Sequence, residues 1–571
     1  MTWITPADQG GGQPPSGPFP APLPMPHSPG WPRRDADHLL LDSATMAALE
    51  EHLFASGLPV ASLMEKAALA VSRQLLEHPP EAALVLVGPG HNGGDGLVVA
   101  RELHLAGIPV RIWAPFPRPK PLTEAHLRHA LWLGIPQLEE PPEPQDGALW
   151  IDALFGIGQR RPPGEALEGL LERRQEARPG RLAAIDVPTG LCADTGRLLG
   201  RSAACARRTW CLGLRKRGLL QDGALRWVGE LTAIDLGLPP KLLENLPNDT
   251  PLSLGPEDLQ TAPWPQEDPA ASKYGRGRLL VVAGSLRFPG AAHLALSGAS
   301  AAGCGSLRAA VPAPIGEALW SVHPHVVLEG SPAATPCGSL ALASLPQTWL
   351  ERLDAVLLGP GLGTPLGSRT EEGETKRWQE LRAFPGLLVL DADGLNRLAQ
   401  GSAMGLDPGS WLAERAGPSW ITPHAGEFAR LFPAWAELPP LEAAARAAQS
   451  CGAGVLLKGA RSVVAAPDGR RWQLRVASPT VARAGLGDVL AGYCAAMGAR
   501  AVAGLGRGEN LDASLLAAAA LEHASAGLAC SDLEGPGRSP RGDTTPLGVA
   551  AALSLGRGGD GRSNTFPVRD R

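Results

Sequence analysis

The sequence predicts two successive α/β domains, each a parallel sheet with helices on both faces. Short β-branched runs recur along the chain, each followed by a Gly-rich turn and then a helical pattern, the order that feeds one parallel strand after another. This alternation lapses between residues 245 and 270, where Pro, Asn and Asp take over. At 571 residues the chain has room for two large domains, or for three or four of ordinary size.

Residues 1–36 are rich in Pro and Gly and have no periodicity. Such a segment cannot bury enough apolar surface to offset its ordering entropy, so it reads as a disordered tail, as do residues 557–571. The first domain is expected over 37–245. It opens with apolar residues at helical spacing (Leu49 and Leu53, then Leu63, Met64, Ala67, Ala70 and Val71), broken by Gly57 and Pro59 into two helices. Strands follow in 83–88, 110–115, 148–156 and 181–188. Residues 246–269 read as a linker. The second domain, 270–556, places strands in 278–285, 306–312, 355–361, 387–393, 419–422 and 454–459.

Composition excludes several functions. Lys and Arg total 52 against 57 Asp and Glu, with no basic stripe, which argues against a nucleic-acid partner. Aromatic residues at 5% leave too few platforms for stacking single strands. The eight cysteines form no Cys-x-x-Cys pair and no zinc spacing, as expected of reduced thiols in a cytoplasmic protein. No signal peptide is read at the N-terminus, and no apolar run is read as long enough to span a bilayer, so no membrane partner is expected.

The sharpest motif is VGPGHNGGDGLVVARELH, residues 87–104. A buried strand enters a run of glycines and a helix leaves it, so backbone N–H groups at a helix start are open to an anion. It lacks the Lys-Ser/Thr of a P-loop and is a poor dinucleotide fingerprint. Asp152, in DALFGIGQRRP, and Asp186 with Thr189, in IDVPTGLCADTG, stand at two further strand ends. Strand carboxyl ends are where open α/β sheets bind ligands. One Asp so placed is more often a helix cap than a catalyst; three Gly-bounded ends together point to one shared pocket.

These three motifs, with LMEKAA (63–68) ahead of them, resemble the NAD(P)H-hydrate epimerase domain over residues 37–240. The resemblance implies a Rossmann-like three-layer fold. It implies that His91, Asn92, Gly93, Gly94 and Asp95 contact a hydrated nicotinamide nucleotide, and that Asn92, Asp152 and Thr189 coordinate K⁺. Gly156, Ile157, Gly158, Gln159, Arg160, Arg161 and Pro162 would bind phosphate, and Asp186 would lie against the reacting ring as the candidate for proton transfer. The chain departs from the family at His91 (usually Asn), at Thr189 (usually Ser) and at Lys66-Ala67-Ala68 (usually Asn-Ala-Gly).

In the second half, residues 271–312 put a basic Gly-rich entry before a strand, and the loop Gly284 to Gly290 then leads into an Ala/Gly-rich helix. LGPGLGT (358–364), VLDADGLN (389–396), TPHAGEFARL (422–431), LLKGARSVV (456–464) and ARAGLGDVLAGYCAAMGA (482–499) follow. The last opens a helix with Gly485, Gly487 and Asp488, so a phosphate at the helix start would have an acid beside it to act as base on a hydroxyl. Taken singly, His424 reads as a satisfied histidine, Glu427 and Asp488 as first-turn helix acids, and Asp391 and Asp393 as caps.

The order of these motifs resembles the ribokinase-like fold, and more closely the ADP/ATP-dependent NAD(P)H-hydrate dehydratase domain over residues 270–555. Together the two halves resemble the bifunctional NAD(P)H-hydrate repair enzymes. The resemblance implies that Ala291, Gly363, His424 and Asp488 hold the hydrate, that Lys458, Gly459, Ala460, Arg461, Ser462 and Gly487 hold ADP or ATP, and that Mg²⁺ assists. NADHX and NADPHX would be the substrates of a homo-oligomer. Leu486 stands where the family usually has Ser or Thr, and His325 where Glu is commoner. The alternatives are a ribokinase-like kinase for a vitamin alcohol, in which the first domain has no role, and a decayed nucleotide-binding protein, against which Asp152, Asp186, Lys458 and Asp488 argue.

Overall fold

The computed structural model describes residues 30–266, 268–335, 337–363, 372–401, 407–477, 479–531 and 544–555. The tails expected at 1–29 and 557–571 lie outside the described residues. The chain begins with a two-residue strand, β1 (Leu40–Leu41), and the two expected helices, Ser43–Ala55 and Val60–Glu77. Strands β2 (Ala83–Val87), β3 (Val110–Trp113), β4 (Gln137–Leu138), β5 (Leu149–Ala153), β6 (Leu182–Ile185) and β7 (Arg208–Leu212) follow, then β8 (Arg215–Lys216) and β9 (Glu230–Ile234). Seven of them form one sheet in the order β4-β3-β2-β5-β6-β7-β9, and every pairing is parallel. All five residues of β2 are buried, as a strand covered by helices on both faces requires. Chain order reverses between β2 and β5, so a crevice opens at their carboxyl ends.

The second sheet has ten strands: β10 (Leu252–Leu254), β11 (Arg278–Val282), β12 (Ser306–Ala310), β13 (Val327–Gly330), β14 (Ala355–Leu358), β15 (Leu387–Leu390), β16 (Ser419–Ile421), β17 (Gly454–Leu457), β18 (Val463–Ala465) and β19 (Arg471–Leu474). Their order is β10-β19-β18-β17-β16-β15-β14-β11-β12-β13, parallel except for the β17-β18-β19 meander. Here the switch falls between β11 and β14, and Gly284 N–H donates to Pro360 O across it at 2.8 Å. Helix Leu486–Leu505 packs under β11, β14 and β15 and against helix Pro289–Ala301. Its Gly492 sits so close to that neighbour that a Cβ would fall 1.9 Å from Ala295 O.

Three expectations are corrected. The 246–269 linker is built into the second sheet: Leu252–Leu254 forms the edge strand β10 on β19. A strand of three residues beside prolines carries no readable alternation, which is why the pattern appeared to lapse. The tail also ends earlier than residue 36. Trp31 is buried, donates from Nε1 to Asp258 O and accepts from Trp472 Nε1. Ser253 N–H donates to His38 O at 2.6 Å, and the His38 ring bridges Asp35 and Asp258. Lastly, helix Ala513–Cys530 is long and apolar enough to cross a membrane by length and composition. It is 61% buried and packs on helices Leu486–Leu505 and Pro546–Leu555, as a core helix does.

Candidate functional sites

The first site sits at the β2/β5 switch. Gly88 and Gly93 let the turn after β2 close tightly: a Cβ at Gly88 would lie 1.6 Å from Leu154 O, and one at Gly93 2.0 Å from Gly88 O. Helix His91–Leu105 starts there, with His91 exposed and Asn92 to Asp95 buried. Burial, with Lys120 nearby, lowers the His91 pKa.

Asp152, fully buried at the end of β5, accepts from the Thr189 N–H and hydroxyl, both at 2.8 Å, and from Leu154 N–H. Burial outweighs these bonds and pushes its carboxyl up to about 6. Asn92 Nδ2 donates to Ile185 O, while its Oδ1 is buried with no hydrogen-bond partner among the described residues. A buried amide oxygen without a donor is the kind of polar group that a hard monovalent cation would satisfy.

Asp186 holds φ +66°, unusual for a residue with a side chain, and such strain persists only where the surroundings enforce it. Lys216 Nζ donates to Asp186 Oδ1 and to Leu212 O, both at 2.6 Å, and Ile157 N–H donates to Asp186 Oδ2. Burial disfavours the Lys216 ammonium, yet Asp186 beside it raises the pKa overall. Asp95 is raised well above the carboxylate range by burial and then by Asp186 and Glu50. Burial also raises Glu50. Three acids therefore share one buried lysine, and burial among its neighbours disfavours the ionised form of Asp95. Sequence reasoning missed Lys216 and Glu50. In Arg-Lys-Arg-Gly, Lys216 reads as one more solvated base.

The residues expected to bind phosphate divide. Gln159 is tied to the 188–190 turn, donating to Pro188 O and accepting from Gly190 N–H. Arg160, Arg161 and Pro162 are exposed, and Gly158 is open to solvent. Gly156 faces Asn92 and Asp186, with room for no Cβ: it would fall 2.8 Å from Asp186 Oδ2.

The second site gathers the carboxyl ends of β11 and β14–β17. Asp391 Oδ1 accepts from Lys458 Nζ at 2.7 Å and from the Thr422 hydroxyl at 2.8 Å. Gly363 N–H donates to Asp393, and Arg397 holds Gly363 O. Ala291 lies on the neighbouring helix, where Gly361 approaches it closely. His424 caps helix Ala425–Leu431: its Nδ1 accepts from Gly426 N–H at 3.0 Å, and its Nε2 lies 3.3 Å from Glu427. Its ring is thus oriented by the backbone while its side chain stays 55% exposed.

Asp488 is the third residue of helix Leu486–Leu505. Burial, then Asp391, Asp393 and Glu427, push its carboxyl up to about 7 against the pull of Lys458. An acid so placed is poised to exchange a proton near neutral pH. Beside it a cavity of about 450 Å³ is lined by Lys458, Gly459, Ala460, Ser462 and Gly487 on its polar side and by Leu474, Val476, Leu486 and Leu490 on its apolar side. Leu486 is thus a buried wall residue of the cavity. Arg461 departs from expectation. Its guanidinium is buried and donates to Leu219 O of the first domain, because the turn after β17 projects it towards that neighbour.

A family model described as NAD(P)H-hydrate dehydratase matches residues 279–541, and one described as YjeF-related protein N-terminus matches residues 60–218. The chain is 40% identical over 499 residues to the bifunctional NAD(P)H-hydrate repair enzyme Nnr of Synechocystis sp., which covers 86% of this chain and 90% of that protein. It is 41% identical over 496 residues to the protein of the same name from Gloeobacter violaceus, with 86% and 92% covered. Among solved structures it is similar to the ADP/ATP-dependent NAD(P)H-hydrate dehydratase of Bacillus subtilis co-crystallized with ATP and Mg²⁺. That likeness has 22% identity and a TM-score of 0.38, covering 52% of this chain and 94% of that one.

Proposed function

The chain belongs to the family of bifunctional NAD(P)H-hydrate repair enzymes, and from that premise we propose how its two sites divide the work. The first domain interconverts the R and S forms of hydrated NADH and NADPH at the cluster of Asp186, Asp95 and Lys216. Asp186, held by Lys216 and strained towards the Gly156 turn, is the group against the reacting ring. The orphaned Asn92 oxygen and the buried Asp152 carboxyl, with Thr189 bonded to it, fit K⁺, which would supply fixed positive charge to the nucleotide pocket.

The second domain dehydrates the S form at the expense of ADP or ATP. The observation that carries this reading is a carboxyl poised at about 7 beside a half-buried lysine and a helix start that line one cavity large enough for a nucleotide. Hydroxide is a poor leaving group and phosphate a good one. Asp488 takes the proton of the C6 hydroxyl as its oxygen attacks the terminal phosphorus of the nucleotide; with ADP, AMP leaves. The C6–O bond of the resulting phosphate ester then breaks, inorganic phosphate leaves as a proton departs from C5, and the dihydropyridine is restored. Asp391 and Glu427 offer the oxygen ligands Mg²⁺ prefers, and that ion would supply neutralisation of phosphate charge.

Self-association belongs to the same reading. Trp320, Val322, Val327 and Leu328 expose apolar surface along the edge strand β13 and the helix before it, and light scattering of the purified protein tests it. The activity itself is tested by mixing the protein with both epimers of hydrated NADH, with and without ADP, and following dihydronicotinamide absorbance. Full recovery of both epimers with ADP is expected. Recovery of one epimer alone would leave the first domain inactive, and a stable phosphorylated product would make the second domain a kinase.

A further inference from the structure

The turn after β17, expected to hold the adenine nucleotide, is itself held by the other domain. Asp222, in a 3-10 turn of the first domain, accepts from Ala460 N–H on Oδ2 at 2.8 Å and from Arg461 N–H on Oδ1 at 2.9 Å. Two charge-assisted bonds from one carboxylate to consecutive N–H groups fix both position and tilt of a turn. Around them, Arg461 donates to Leu219 O, Gln473 donates to Leu220 O, and Gln221 donates to Gln473.

Gly459 gives an independent sign of how closely the carboxylate is fitted. A Cβ there would lie 2.6 Å from Asp222 Oδ2, and the three nearest atoms it would meet all belong to Asp222. The backbone of Gly459 is not left-handed, so its lack of a side chain is explained by this approach and not by its conformation. The N–H groups of Ala460 and Arg461 are therefore spent on the first domain, and what the cavity presents to a nucleotide is the rest of the same turn: Lys458, Gly459, Ser462 and the remaining surface of Ala460.

We infer that Asp222 is a cross-domain positioning residue: the epimerase domain sets the shape of the dehydratase domain's nucleotide turn, and so the affinity of the second site for ADP. The inference rests on the reading of the cavity as the nucleotide site. It makes the fusion functional at the molecular level, since one domain completes the binding surface of the other without touching the ligand.

The test uses the full-length chain. ADP affinity is measured by calorimetry, and dehydration and epimerisation are measured separately, for wild type, Asp222→Ala, Asp222→Asn, Gly459→Ala and the Asp222→Ala/Gly459→Ala double variant. Asp222→Ala should weaken ADP binding and raise its KM by about tenfold, the scale of coupling through a packed contact, with kcat and the epimerisation rate within about twofold of wild type. Asp222→Asn, which keeps one acceptor, should fall between. Gly459→Ala should weaken ADP binding comparably, and the double variant should be no worse than either single one, because the added methyl then has nothing to strike. Unchanged or tighter ADP binding in Asp222→Ala overturns the inference, as do strictly additive effects in the double variant. A drop in kcat and epimerisation together with the thermal midpoint marks Asp222 as merely structural and also overturns it. If wild type binds no ADP, it is the nucleotide reading of the cavity that fails.

Discussion

Both sites hold a lysine–aspartate pair whose acid stands at the carboxyl end of a sheet strand, and the two pairs are used differently. Lys216 is 1% exposed, and its contacts are spent on Asp186 and a backbone carbonyl. Lys458 has 19% of its side chain exposed and faces a cavity at a helix start. In the first site the raised acid, Asp95, is sealed in among other acids; in the second, Asp488 follows Gly487 of the cavity wall and is poised near neutrality. A closed pair suits redistribution of protons around a ring, with no second substrate to admit. An open pair suits phosphoryl transfer, where the lysine and the helix start must meet incoming anionic charge.

The comparison breaks most visibly at Asp488. Asp488→Asn keeps the shape of the helix start but removes the carboxylate proposed as the base. Dehydration should fall by roughly two to four orders of magnitude in a nucleotide-dependent assay, while epimerisation is unaffected. Equal loss of both activities would mean that the two sites are not independent.

Lys216→Met comes next. Breaking a buried pair from one side leaves an uncompensated charge and typically costs about 3–5 kcal/mol. Chemical denaturation should register that loss, with epimerisation falling further than dehydration. A variant of unchanged stability would mean that Asp186 does not depend on Lys216.

A third effect is read in pH. The Asp488 carboxyl must be ionised to act, so kcat/KM for dehydration should climb about tenfold per pH unit below about 7 and level off above it. Stability moves the other way. The folded-state pKa is raised above the unfolded one, so the stability this group contributes is complete below the unfolded value and is lost as pH rises through about 7. Asp488→Asn should therefore gain on wild type in thermal midpoint as pH rises from about 4 to about 7, and keep that gain above it. A flat difference between the two from about pH 4 to 7 would count against the raised carboxyl.

The smallest effect concerns the cation. Replacing K⁺ by choline should lower the thermal midpoint by a few degrees through loss of native-state binding. Asp152→Asn should abolish the difference between the two salts. If both proteins respond alike, the Asn92–Asp152 environment holds no specific ion.

Much of this was legible in the sequence, and the unread parts share a physical reason. Gly88 and Gly93 announce a close turn, and Asp152, Asp186 and Asp488 announce strand ends and a helix start, because these are local signals. Lys216, Glu50 and Asp222 do not. Whether a charged side chain is solvated or sealed against a partner is decided by residues far along the chain: Asp222 meets its partners 238 and 239 residues away. The three-residue edge strand β10 was lost for a related reason, since its identity lies in its pairing with β19 and not in its own pattern.

That edge has a consequence for how the protein is made. Trp31 accepts a hydrogen bond from Trp472, a separation of 441 residues, and His38 is stitched to Ser253 and Asp258. Trp31 thus waits for a partner made 441 residues later, and at ordinary elongation rates the interval is on the order of half a minute. Through that interval the first domain carries an unfinished seam, with the apolar face of Trp31 and the edge beneath it waiting for β19. The nascent chain is then most vulnerable to mispairing with its neighbours on a polysome until β19 emerges, and a pulse–chase comparison of Trp472→Ala with wild type would register that window as lost soluble yield.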